Sequence, residues 1–113
     1  MSLHSLGAVT ASSGTPARIT SNQADPTARI ATHSLLIEAL PTNTGKVWIG
    51  LSTMDKASST KPGILAVLAI PTANVIPGFS ATISYAPGGF NAADYYIDPD
   101  VNGDGVVISY IRG

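Results

Sequence analysis

Apolar positions along the chain fall into short, strand-sized runs divided by Gly, Pro, Asn and Asp, the residues that make turns. Phe79-Ser80-Ala81-Thr82-Ile83-Ser84-Tyr85 alternates after a Pro77-Gly78 turn, which predicts a strand with Phe79, Ala81, Ile83 and Tyr85 toward a core. Gly63–Ile70 is apolar throughout. It reads either as a strand buried on both faces or as one with an interface on its outer face. Ser34–Leu40 holds good helix formers but stops at Pro41, and its flanks Ile30–His33 and Pro41–Gly45 read as strand and turn. His33–Leu40 and Lys46–Leu51 therefore form an expected hairpin about Asn43-Thr44-Gly45. Tyr95–Asp98 and Val106–Ile111 form a second, closing one.

Leu6–Thr10 and Ala17–Thr20 are weaker strand candidates. Short strands punctuated in this way predict an all-β chain, a single small β-sandwich or jelly-roll-like domain over residues 30–113. Residues 1–29 differ, being rich in Ser, Thr, Ala and Gly, with Pro16 and Pro26 and few bulky apolar side chains. They read as an extended N-terminal arm that orders on a neighbour, with flexible leader as the alternative. Leu3, Leu6, Val9 and Ile19 are its candidate protein-interaction anchors.

Composition sharpens this picture. Of 113 residues, 44% are hydrophobic and only 12% charged, about half the ~25% usual for a soluble domain. Charge depletion marks the buried centre of protein–protein interfaces. The six Lys and Arg are scattered and the net charge is −1, so no basic stripe for nucleic acid forms. The absence of cysteine excludes disulfides, thiolate metal sites and cysteine nucleophiles. Met1–Ala11 has no basic start and no continuous apolar run, so it does not read as a signal peptide, and no apolar stretch approaches the ~20 residues of a membrane span.

Candidate chemistry is thin. Asp98-Pro99-Asp100-Val101-Asn102-Gly103-Asp104-Gly105 matches the first half of a calcium loop, with alternating oxygen side chains and a glycine at the sixth position. The twelfth position, normally a bidentate Glu, is Ser109, and a strand follows where a helix is required. A turn is the favoured reading; a weak calcium site on Asp98, Asp100, Asn102 and Asp104 is the alternative. His4 and His33 have no partner at metal or triad spacing. No serine sits in a nucleophile elbow, and Gly45-Lys46 lacks the rest of a phosphate loop. Glu38 and Asp55 are the remaining acid–base candidates, with nothing to bring them together. Trp48, between Val47 and Ile49, reads as a core residue, with a sugar platform as the alternative. No enzyme activity and no cofactor are expected.

The run His33-Ser34-Leu35-Leu36-Ile37-Glu38-Ala39-Leu40-Pro41-Thr42-Asn43-Thr44-Gly45-Lys46-Val47-Trp48-Ile49-Gly50 resembles a pattern of small tailed-bacteriophage virion proteins. There, a strand ending in a small residue passes through an Asn-x-Gly turn into a strand ending in Gly. Ile76-Pro77-Gly78-Phe79-Ser80 resembles the Pro-Gly start of the next strand. Tyr95-Tyr96-Ile97-Asp98 with Asp104-Gly105-Val106-Val107 resembles the last hairpin of that group. The likeness is a loose pattern over about residues 30–113. It implies a β-sandwich or jelly-roll structural component of the particle, including the capsid decoration (cement) proteins that sit as homotrimers between capsomers. Other members of the group lie at the head–tail connector or anchor fibres. The partners so implied are the major capsid protein and copies of the chain itself. The place implied is the capsid exterior of a virion assembled in the host cytoplasm, with neither nucleic acid nor membrane as a direct ligand.

Overall fold

The computed structural model describes residues 2–71, 80–84 and 90–112. Among the described residues nine strands follow one another: β1 (Ser2–Thr10), β2 (Ala17–Arg18), β3 (Ala31–Ala39), β4 (Val47–Leu51), β5 (Ile64–Leu68), β6 (Ser80–Ser84), β7 (Phe90–Asn91), β8 (Tyr95–Pro99) and β9 (Gly105–Arg112). A single 3₁₀ turn, Ala92–Asp94, precedes β8. All pairings are antiparallel and build two sheets. The first has the order β1-β9-β3-β6, with β7 also on β3; the second has the order β2-β8-β4-β5.

The two sheets share one core. Alternation along β3 turns Leu35, Ile37 and Ala39 inward, β9 adds Val106 and Ile108, and β1 adds Leu6 and Val9. Val47 and Ile49 of β4, Ile97 of β8 and Leu68 of β5 meet them from the second sheet. The fold is therefore all-β, as the segment pattern predicts.

The connections differ from expectation. β3 and β4 lie in different sheets, and so do β8 and β9, so neither predicted hairpin forms. The reason lies in the two turns, which bind each other rather than closing their own strands. The buried Asn43 side chain donates to the Gly105 carbonyl at 2.8 Å and accepts the Gly105 N–H at 2.9 Å. In return, Asp104 Oδ2 accepts the N–H groups of Thr44 at 2.9 Å and Gly45 at 2.8 Å. Turn residues satisfied across the gap between sheets make crossovers, and local sequence does not distinguish these from hairpins. The hairpin that does form, β4–β5, has a long loop between its strands.

The N-terminal segment is also corrected. β1 pairs along its length with β9, and Leu6, Val9 and Ile19 are buried in the chain's own core. The segment is therefore not an arm held in reserve for a neighbour, and residue 29 marks no boundary of the core. The strand is hard to read in sequence because a bulge between Ser5 and Gly7 breaks its alternation. Gly7, at φ +77°, takes a backbone conformation that L side chains rarely adopt. His4 lies in β1 with its ring stacked on Tyr110 at 5.1 Å between centroids. The prediction that Phe79, Ala81, Ile83 and Tyr85 face a core falls outside the described residues and side chains.

Candidate functional site

The Asp98–Gly105 loop carries the strongest local motif, and its oxygens do not converge on one point. Asp98 Oδ1 accepts the Gly14 N–H at 2.9 Å, Asn102 Oδ1 accepts the Ser13 N–H at 2.8 Å, and Asp104 turns to Thr44 and Gly45. Asp100 Oδ1 accepts the indole N–H of Trp48 at 2.9 Å. Between Asp98 and Asp100 lies the ammonium of Lys56, at 3.2 and 3.3 Å from their Oδ1 atoms. Among the described residues no group of three His, Asp or Glu side chains is placed to hold a metal ion. One side-chain oxygen of each of Asp98, Asp100, Asn102 and Asp104, the residues of the calcium reading, is engaged by a donor of the chain. The loop is a turn, as favoured, but one that joins two sheets.

Trp48 is corrected as well. It alternates outward on β4 while Val47 and Ile49 are buried, and it stands half-buried on the outer face of the second sheet. Its ring is overlaid by Lys61 Nζ, 5.5 Å from the ring centre, as Tyr96 is overlaid by the Arg18 guanidinium at 4.9 Å. Arg18 also donates to the Ala93 carbonyl, fixing the 3₁₀ turn to β2. A depression of about 420 Å³ between Arg18, Leu51, Asp94 and Tyr96 is polar and carries both signs of charge. Glu38 lies on β3 of the first sheet, and Asp55 in the loop that joins β4 and β5 of the second.

Two outward surfaces remain. On the first sheet, register places Leu3, Ile111 and Ser34 in one cross-strand row and Ser5, Ser109 and Leu36 in the next. Neither row contains a charge; Glu38 enters only with the following row, beside Val107 and Ala8. A shallow depression of about 320 Å³, lined by Leu3, Leu36, Tyr110 and Ile111 with Ser34 and Ser109, opens on this face. Leu3, 73% exposed, is the most accessible large apolar side chain described. It is the one predicted interaction residue that the fold leaves on the surface.

The second surface is the outer face of β5, where Leu65 (52% exposed) and Val67 (45%) point outward and Ile70 (49%) follows the strand. Of the two readings of the Gly63–Ile70 run, burial on both faces is overturned, since Leu65 and Val67 lie exposed. Periodicity hid this, because an edge strand with an apolar exterior has the same composition as a buried one.

Comparison with known protein families, curated proteins and solved structures finds no match for this chain.

Proposed function

We propose that this chain is a structural protein that works by binding other subunits, and specifically a virion component of the capsid decoration type, a β-sandwich seated on a capsid lattice through its own exposed faces. The observation that carries the reading is the pair of uncharged cross-strand rows on the outer face of the first sheet, where Leu3, Leu36 and Ile111 surround a shallow apolar depression. A sheet face that met only water would alternate apolar-in with polar-out. Low overall charge and the sequence resemblance to small phage virion proteins point the same way. The mechanism drawn from sequence changes in one respect. Leu6, Val9 and Ile19 are committed to the core, so binding falls to Leu3 and the sheet faces rather than to an ordering arm.

Many copies on a symmetric shell make weak individual contacts add in avidity. A homotrimer is the favoured state through the resemblance, and the major capsid protein is the second partner. A head–tail connector or fibre-anchoring station fits the same surfaces. A carbohydrate-binding module is disfavoured, because one face of both Trp48 and Tyr96 is already covered by a cation of the chain.

Light scattering of the purified protein, followed by its addition to undecorated capsids, tests the proposal. Oligomers at micromolar concentration and stoichiometric co-sedimentation are expected, both weakened by Leu36→Lys. A strict monomer that fails to bind particles overturns it.

A further inference from the structure

We infer that the outer face of the first sheet binds a second copy of this chain, with Glu38 of one molecule received between Arg29 and Arg112 of the other. The inference rests on the reading of that face as a subunit contact, and it names the occupant.

The charges at the two ends of the face carry the argument. Each aspartate of the chain accepts a hydrogen bond from within it. Glu38, the one glutamate, has neither a hydrogen bond to its side chain nor an ion pair among the described residues. Of the basic side chains, Arg18, Lys56 and Lys61 donate to carbonyls of the chain, whereas Arg29, Lys46 and Arg112 do not. The two arginines are exposed and border one depression of about 130 Å³. Tyr110 borders both this hollow and the apolar one of the outer face, so the two adjoin.

Within one molecule these charges do not meet. Glu38 stands opposite Val107, and Arg112 lies five positions further along β9, about 17 Å at ~3.4 Å per residue. The uncharged rows of Leu3 and Leu36 lie between them. A face negative at one end, apolar in the middle and positive at the other is complementary to another of its kind turned end for end. An arginine takes a carboxylate through two parallel N–H···O bonds, and the facing apolar rows shield the pair from water. The opposite alignment sets Glu38 near Glu38, a like-charge contact that is penalised. Turned end for end, two copies satisfy each other; in a trimer each Glu38 passes to the next molecule, and the same side chains meet.

Sedimentation velocity of the full chain at micromolar concentration reads the contact, with melts to check folding. Glu38→Arg should weaken self-association roughly tenfold, and so should Arg29→Glu combined with Arg112→Glu. Tm should move little, since all three side chains are partly or fully exposed. The chain carrying all three changes has every sign exchanged and should associate as the wild type does. Glu38→Gln removes the charge at constant size and reads the contact where Glu38→Arg does not fold. The inference is overturned if the wild type is monomeric, or if the folded Glu38 variant associates as tightly as the wild type. It is overturned equally if the triple variant stays as weak as its parents. Binding to undecorated capsids is followed in parallel. A monomer that still co-sediments with particles refutes the self-contact and leaves the structural reading standing, whereas loss of both refutes both.

Discussion

Asn43 and Gly105 hold each other in both directions: the side-chain amide donates to the glycine carbonyl at 2.8 Å and accepts its N–H at 2.9 Å. The pair joins the link that leaves β3 to the link that enters β9, at a buried point. Gly105 has no alternative residue there, because a Cβ would collide with the Val9 carbonyl of β1. The Gly105 carbonyl also accepts from the Leu40 N–H at 3.1 Å, whereas its own N–H has Asn43 as partner. Asn43→Ala therefore orphans a buried donor and should cost about 1–3 kcal/mol. Asn43→Asp should be no better, since an ionised carboxylate offers no donor to the glycine carbonyl. Urea denaturation of the two variants checks this, and a loss below experimental error would show that the pairing contributes nothing.

The N-terminal strand gives a prediction of opposite sign to the one its sequence invites. Removing residues 2–10 deletes Leu6 and Val9 from the core and exposes one edge of β9, so the truncated chain should fail to fold cooperatively. Ile19→Ala, at a fully buried position, should cost about 2–5 kcal/mol. Circular dichroism melts distinguish this from an accessory arm, whose loss leaves Tm unchanged.

What sequence displays of this chain, and what it conceals, divides along a physical line. The segments of β3, β4 and β9 are legible because apolar runs between turns are a local property, but which side faces inward is not: Val47 and Ile49 are buried while Trp48, read as core, lies on the outer face. Which turn joins which strands is not local. Asn43-Thr44-Gly45 and Asp104-Gly105 have the chemistry of hairpin turns, yet their donors and acceptors are matched to each other across the sheets. Lys56 has no signal at all, since its partners are distant in sequence. Among the interaction anchors, Leu3 lies on the surface while Leu6, Val9 and Ile19 are core, a distinction that a bulged strand with a central glycine does not announce.

Alkaline pH should weaken the fold through Tyr95. Burial pushes its phenol above the usual value near 10, and the adjacent Asp94 carboxylate opposes a second negative charge. Because the folded group holds its proton more tightly than the unfolded one, its contribution to stability is intact below about pH 10. It is then lost as pH rises from the unfolded value through the higher folded one. Denaturation midpoints measured across that range should fall more steeply for the wild type than for Tyr95→Phe, which keeps the edge-to-face contact with Phe90 at 5.6 Å.

The outer face of β5 offers a separable test of assembly. Leu65→Lys combined with Val67→Lys changes two exposed positions, so monomer stability should move by no more than about 0.5 kcal/mol per site. If β5 contributes to association, sedimentation velocity will show fewer oligomers for this variant. If only Leu36→Lys has that effect, contact belongs to the first sheet alone.

Asn22 and Gln23 sit against the open side of β1, where Asn22 Nδ2 donates to the carbonyls of Leu6 at 2.6 Å and Ala8 at 3.1 Å, and Gln23 Nε2 donates to Leu6 at 3.2 Å. A bare strand margin recruits the next molecule by main-chain pairing, and every addition recreates the margin, so growth has no natural stop. Side-chain amides plug that margin at Leu6 and Ala8, and a neighbouring backbone finds no acceptor there. The step by which an open strand edge would seed a fibre is thereby blocked on β1 at Leu6 and Ala8.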